Sequence, residues 1–260
     1  MLIAIDTSTA NASLALVKDG ELVAELNWRS SLNHSVELLP NLNYLLRQSG
    51  RDIASAQAII VARGPGSYNG LRVGLSTAKG LAFSLGISLV GVSTLSVIAY
   101  AFAATGLPVC PMINAGRGEI ATACYQMAGG RWAALEDERI STVSAVCAGT
   151  ATRTVFCGEL EPEMIREIAG RLADLAVLPS PAARLRRAAY LAELGQVRLS
   201  AGDVDPVAAL EPHYLRRPPI TRRNAGRERN REWKSCPGCR WTPKKARPCA
   251  LAAGRIIPSA

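Results

Sequence analysis

Histidine is nearly absent from this 260-residue chain: there are two, His34 and His213, far apart in sequence. A helical metal-binding pair of the His-x-x-x-His kind is therefore excluded. Aromatic residues are also few, at 5%, so a core has to be built from aliphatic and small side chains. The longest charge-free run, "ISLVGVSTLSVIAYAFAATGLPV" (87–109), is interrupted by Gly91, Ser93, Thr94 and Gly106. It reads as a buried strand, a turn and a buried helix rather than a membrane span. "MLIAIDTS" offers neither the basic nor the long apolar region of a signal peptide. Of seven cysteines, Cys110, Cys124, Cys147 and Cys157 lie in apolar contexts and read as buried free thiols. A reducing, cytoplasmic compartment is expected.

Excess charge is missing from most of the chain. The net charge is +9, but residues 221–260 hold 11 Lys and Arg against 2 Asp and Glu. The remainder balances at 19 of each, so the basic pI of 9.5 belongs to the tail and does not imply a nucleic-acid-binding body.

Apolar patterning is abundant. "LIAID" reads as a central strand, and "ASLALVKDGELVAELNW" as a hairpin around Asp19-Gly20. Val36, Leu39, Leu42, Leu45 and Leu46 recur at helical spacing over 34–49, with Pro40 inside as a kink or a new first turn and Gly50 as C-cap. "AQAIIVA" is a buried strand, and a helix follows the glycine-rich loop, carrying Gly70, Gly74, Ala78 and Ala82 as a stripe without bulk. The order strand–strand–strand–helix–strand–helix then recurs from "PVCPMIN" onward. "AARLRRAAYLAELG" reads as one of two late amphipathic helices. Two mixed α/β lobes of related topology are expected, over 1–105 and 106–220, followed by a disordered basic tail over 221–260.

The chemistry candidates are few. "RGPGSYNGLRVG" (63–74) lacks the Gly-Lys-Ser/Thr of a phosphate loop, and Lys79 comes too late. Ser67 directly follows Gly66, so the Gly-x-Ser-x-Gly nucleophile turn also fails. Anion binding at the helix start and close backbone packing both stay open. Asp6, followed by Thr7 and Ser8, suits either a Mg²⁺–nucleotide site between two lobes or a turn-capping cluster. His34 and Glu37 share a helical face, and a Ser67/His34/Asp6 triad has no support in spacing. In the tail, Cys236, Cys239 and Cys249 are three zinc-type ligands where four are usual. His213 would have to be the fourth, unless a partner supplied it. Trp233 and Trp241 amid basic residues make RNA contact conceivable.

"LIAIDTST", "HSVELLP" (34–40) and "RGPGSYNGLRVGLSTAKGLA" (63–82), with a weaker "EPHYLRRPP", together resemble the bacterial TsaB (YeaZ) family over roughly residues 1–219. The resemblance implies a two-lobed actin/Hsp70-like ATPase (ASKHA) fold with a duplicated mixed-sheet-plus-helices unit. It implies a non-catalytic subunit that pairs with its catalytic paralogue TsaD and works with the ATPase TsaE. Their product is N6-threonylcarbamoyladenosine at position 37 of ANN-reading tRNAs. The chain would hold no cofactor of its own, with ATP and metal on the partner. It would meet tRNA through the complex, avoid membranes and form a homodimer when the partner is absent. The pairing surface would be two helices, with His34, Glu37, Leu38, Leu42, Leu45, Gly70, Leu71, Gly74, Leu75 and Ala78 at the contact. Asp6, Thr7 and Ser8 would be a vestigial nucleotide site. Asn114 stands where the family often has an acid, which weakens that site further. The competing reading is an ATP-dependent carbamoyltransferase or kinase of the same fold acting alone. A glycoprotease-like metallopeptidase is least favoured, because the two histidines are distant.

Overall fold

The computed structural model describes residues 1–30 and 33–216. The expectations for Cys236, Cys239, Cys249, Trp233, Trp241 and the basic tail lie outside the described residues.

The chain opens with β1 (Leu2–Asp6), β2 (Asn11–Lys18) and β3 (Glu21–Arg29), an antiparallel meander turning at Asp19-Gly20. Helix α1 (His34–Gln48) runs through Pro40 without ending there. Strand β4 (Ala58–Gly64) then pairs parallel to β1. Helix α2 (Tyr68–Leu85) starts at Ser67, whose side chain caps Gly70 N–H, and stops at Gly86 in the left-handed conformation. Strand β5 (Ser88–Ser93) completes a sheet of order β3-β2-β1-β4-β5. Strands β1 and β4 are apolar and buried almost throughout, because helices cover both faces.

Helix α3 (Thr94–Tyr100) leads into the second unit: β6 (Val109–Gly116), β7 (Glu119–Ala128), β8 (Arg131–Ser141), α4 (Val143–Gly149), β9 (Thr154–Gly158), α5 (Pro162–Leu172) and β10 (Ala176–Val177). Its sheet order is β8-β7-β6-β9-β10, with β6–β7–β8 antiparallel and β6, β9 and β10 parallel. Each sheet thus has the first strand of its meander at the centre. The repeat expected from the sequence is an identity of topology.

One late element differs from expectation. The helix read from residue 182 begins only at Ala188, as α6 (Ala188–Ser200). The preceding residues, including Arg184 and Arg186, stay outside the helix, and the Arg186 side chain reaches the β1–β2 turn. Although α6 follows the second sheet in sequence, Ala188, Leu191 and Ala192 pack on Leu2, Ala4 and Ile60 of the first. Gly195 permits this approach, since a Cβ there would overlap the Ile60 side chain. Past α6, Asp205 accepts the Gly91 N–H at 2.8 Å and covers the outer edge of β5. Among the described residues, no helix is long and apolar enough to cross a membrane.

Candidate functional site

Asp6 ends β1 and is fully buried, at 0% exposure. A buried carboxylate needs partners for its charge and lone pairs, and the chain supplies them. Oδ1 accepts the Ser8 hydroxyl at 2.6 Å and the Ser8 N–H at 2.9 Å. Oδ2 lies 2.6 Å from Nε of Arg186, which is itself buried. That N–H is not aimed at the oxygen, so the contact is a charge pair rather than a hydrogen bond. Arg186 Nη2 donates to Thr9 Oγ1 at 3.1 Å and to the Asn11 carbonyl at 2.5 Å. The guanidinium therefore closes one side of the β1–β2 turn.

The glycine-rich loop holds the same turn from the other side. Ser67 N–H donates to the Ser8 carbonyl at 2.6 Å, and Thr7 Oγ1 donates to the Gly70 carbonyl at 2.8 Å. A Cβ on Gly66 would overlap the Ser8 carbonyl oxygen, one on Gly70 the Thr7 carbonyl oxygen, and one on Gly74 the Thr7 hydroxyl. The glycines let the chain's own turn come close. Ala78 and Ala82 continue the stripe into the core beneath. The stripe expected to receive another subunit is filled from within.

The other expected contact residues follow the same pattern. Leu38, Leu42, Leu45, Leu71 and Leu75 are buried in the chain's own core. Glu37 is half-buried and accepts the Trp28 indole N–H at 3.0 Å. The outward faces carry different residues: Val36, Leu39 and Tyr44 on α1, and Tyr68, Arg72, Ser76, Gly80 and Phe83 on α2. Phe83 is 82% exposed.

His34 sits over Gly70 at the start of α2, buried, with no partner for Nδ1 among the described residues. Burial lowers its pKa below the ordinary 6.5, reinforced by Arg186 and opposed by Glu37, Asp6 and a Thr9 backbone contact. The unfolded chain therefore takes up a proton near pH 6.5 that the folded chain refuses until lower pH. This contribution is present above pH 6.5 and lost as pH falls toward the folded pKa. The urea midpoint should drop between about pH 7 and pH 5, and His34→Gln should flatten that slope. An unchanged slope in His34→Gln would assign the dependence to other groups.

His213 is not beside His34. Its ring Nε2 lies 3.2 Å from Glu138, whose carboxylate also accepts the Tyr125 hydroxyl at 3.0 Å and the Ser93 hydroxyl. The His213 N–H donates to the Arg63 carbonyl at 2.7 Å. Lys79 donates to the carbonyls of Ala208 and Leu210, both at 3.1 Å, so it anchors the closing segment rather than a phosphate. Ser67 is a helix cap. Cys110, Cys147 and Cys157 are buried and Cys124 is half-buried. Burial raises all four thiols, Cys110 to about 12, so none is an activated nucleophile. No cluster of three His, Cys, Asp or Glu fit to hold a metal occurs among the described residues.

Arg186 is the residue of this turn that the sequence motifs do not point to. Its signal was a mismatch of kind: "ARLRRAAYLAELG" places arginines beside an apolar helix, while "LIAID" ends an apolar strand with an acid. Each charge needs the other once both are buried.

Two sheets of one topology, joined by helices and meeting near an acidic β1–β2 turn, define the actin/Hsp70-like ATPase class. The family model described as TsaD, tRNA N6-adenosine threonylcarbamoyltransferase, matches residues 29–209. The tRNA threonylcarbamoyladenosine biosynthesis protein TsaB of Escherichia coli is 35% identical over 171 residues, covering 65% of this chain and 68% of that protein. Its namesake in Bacillus subtilis is 36% identical over 129 residues, 50% of this chain and 56% of that one. The solved structure of YeaZ from Pseudomonas aeruginosa superposes with a TM-score of 0.69 at 26% identity, over 82% of this chain and 99% of that one. The chain belongs to the TsaB (YeaZ) family.

Proposed function

We propose that the chain is a non-catalytic scaffold and activator in forming N6-threonylcarbamoyladenosine at position 37 of ANN-reading tRNAs. It pairs with a TsaD-like catalytic paralogue and is served by a TsaE-like ATPase. Residues 1–105 are the lobe that carries the pairing helices. The names of the relatives supply the pathway, and the Asp6–Arg186 pair supports the passive role. Mg²⁺ binds through free carboxylate oxygens. Here one oxygen of Asp6 is taken by Ser8 and the other faces a buried guanidinium. These residues do not fit a Mg²⁺–nucleotide, and no step of the reaction is assigned to them. The purified chain should transfer nothing to tRNA, and adding the TsaD-like partner should restore transfer. Transfer by the chain alone would refute the reading in favour of an autonomous carbamoyltransferase.

The pairing surface is the outward face of α1 and α2, rather than the inward stripe. Val36, Leu39 and Tyr44 offer apolar bulk, while Ser76 and Gly80 are small side chains at exposed positions of α2 that let a neighbouring helix come close. Nothing lies within 4 Å of a Cβ built at Gly80. Gly80→Arg should therefore keep or raise the melting temperature, arginine being the better helix former by up to about 1 kcal/mol. It should also weaken partner binding by about tenfold or more in a titration, a loss of roughly 1.4 kcal/mol. Unchanged affinity would move the interface elsewhere.

A further inference from the structure

The chain has few aromatic residues, yet three of them line one cavity that is distinct from the cleft beside Arg186. Tyr100 of α3, Tyr125 of β7 and Trp132 of β8 border a space of about 590 Å³. Small-molecule sites span roughly 300–1,000 Å³. Trp132 stacks on the buried Tyr125 with centroids 5.6 Å apart and planes 9° from parallel, and it meets the half-buried Tyr100 edge-on at 5.5 Å. The indole is fixed by its N–H donating to Ser96 Oγ at 3.0 Å.

The charged side chains that line this cavity are all arginines, whereas the carboxylates of Glu138 and Asp205 stand behind the lining, accepting from Ser93 and Tyr125 and from Gly91. Arg63 and Arg131 line it, both are exposed, and neither forms an ion pair among the described residues. A third guanidinium, Arg198, is neutralised by Asp203 and Asp205. No residue lining this cavity also lines the cleft beside Arg186. Flat rings favour a stacked base because every nucleobase has a π-face, and unpaired guanidiniums favour a phosphate.

We propose that this cavity binds a nucleotide unit, a purine base stacked against the half-buried Trp132 and Tyr100 rings, with its phosphate at Arg63 and Arg131. The inference stands apart from the scaffold reading, since it uses none of the Asp6 residues. The unit could be a free mononucleotide or an unpaired residue of an RNA strand, and the same experiment separates the two.

The full chain is titrated calorimetrically with AMP, with ribose 5-phosphate and with a short single-stranded oligoadenylate. AMP should saturate in the submillimolar range, and ribose 5-phosphate should bind at least about tenfold more weakly because it lacks the base. Trp132→Ala and Arg131→Glu should each weaken AMP by about tenfold or more, whereas Trp132→Phe should retain most of the affinity. Arg131 lies on the surface, so its variant tests the site without threatening the fold. An oligoadenylate about tenfold tighter than AMP identifies RNA as the source, and equal or weaker binding identifies the free nucleotide. No saturable binding at millimolar ligand overturns the proposal. So does AMP binding indifferent to both Trp132→Ala and Arg131→Glu. In the latter case the nucleotide sits elsewhere, and if Arg186→Gln abolishes it, the passive reading of the Asp6 turn fails instead.

Discussion

Gly70→Ala should lower the stability of the protein by about 3 kcal/mol, toward the upper end for overpacking a filled site. The new methyl would overlap the Thr7 carbonyl oxygen, a backbone atom that no rotamer change can move. Thr7 is also tied to the same residue, because its hydroxyl donates to the Gly70 carbonyl at 2.8 Å. Relief therefore requires shifting the whole β1–β2 turn away from α2, which breaks the Ser67–Ser8 backbone bond and disturbs the buried Asp6. For a chain of this size about 3 kcal/mol corresponds to a melting temperature lower by roughly 6–12 °C. Gly80→Ala on the same helix is the control, since a Cβ there meets nothing. It should gain up to about 1 kcal/mol from helix propensity. Differential scanning calorimetry on the pair separates a glycine kept for close approach from one that is not. Equal effects at the two positions would remove the argument that the stripe is an internal contact.

The same stripe marks how far the sequence can be read. Its period of four was plain, and so was its meaning as a place of close approach. What approaches was not, because periodicity describes one surface and says nothing of which second surface meets it. Leu38, Leu42 and Leu45 carried the same ambiguity: a helical apolar face reads alike whether it covers its own sheet or a neighbour. The strands were more legible. Asp19-Gly20 and the runs "LIAID" and "AQAIIVA" are local signals, and the duplicated order of elements followed from them. The α6 boundary was not local. Residues 182–187 have helical composition, but Arg186 is drawn to a partner 180 positions earlier, and that tertiary demand keeps its segment out of the helix. The aromatic cavity was equally out of reach, since Tyr100, Tyr125 and Trp132 come from three elements and meet only once the second meander folds back on α3.

Arg186→Ala should be the most damaging single substitution at the candidate site. Removing one partner of a buried ion pair costs about 3–5 kcal/mol, because the other charge is left uncompensated. Asp6 has no exposed surface through which water could take over, and Ser8 satisfies only one of its oxygens. The loss also reaches Thr9 and Asn11, whose oxygens give up their donors. Asp6→Asn alone should cost less, since an amide keeps an acceptor for Ser8 while leaving Arg186 without its counter-charge. Combining Asp6→Asn with Arg186→Ala should recover part of the loss, so that the double variant is more stable than Arg186→Ala. Urea unfolding of the four proteins gives the coupling directly, and neighbours of this kind couple by roughly 0.5–3 kcal/mol. Strict additivity would mean that the two charges do not depend on each other. Asp6 would then be satisfied by Ser8 alone, and its second oxygen would be free for a cation. The case for a passive β1–β2 turn rests on that coupling, so the double-mutant cycle tests the function of the loop as well as its stability.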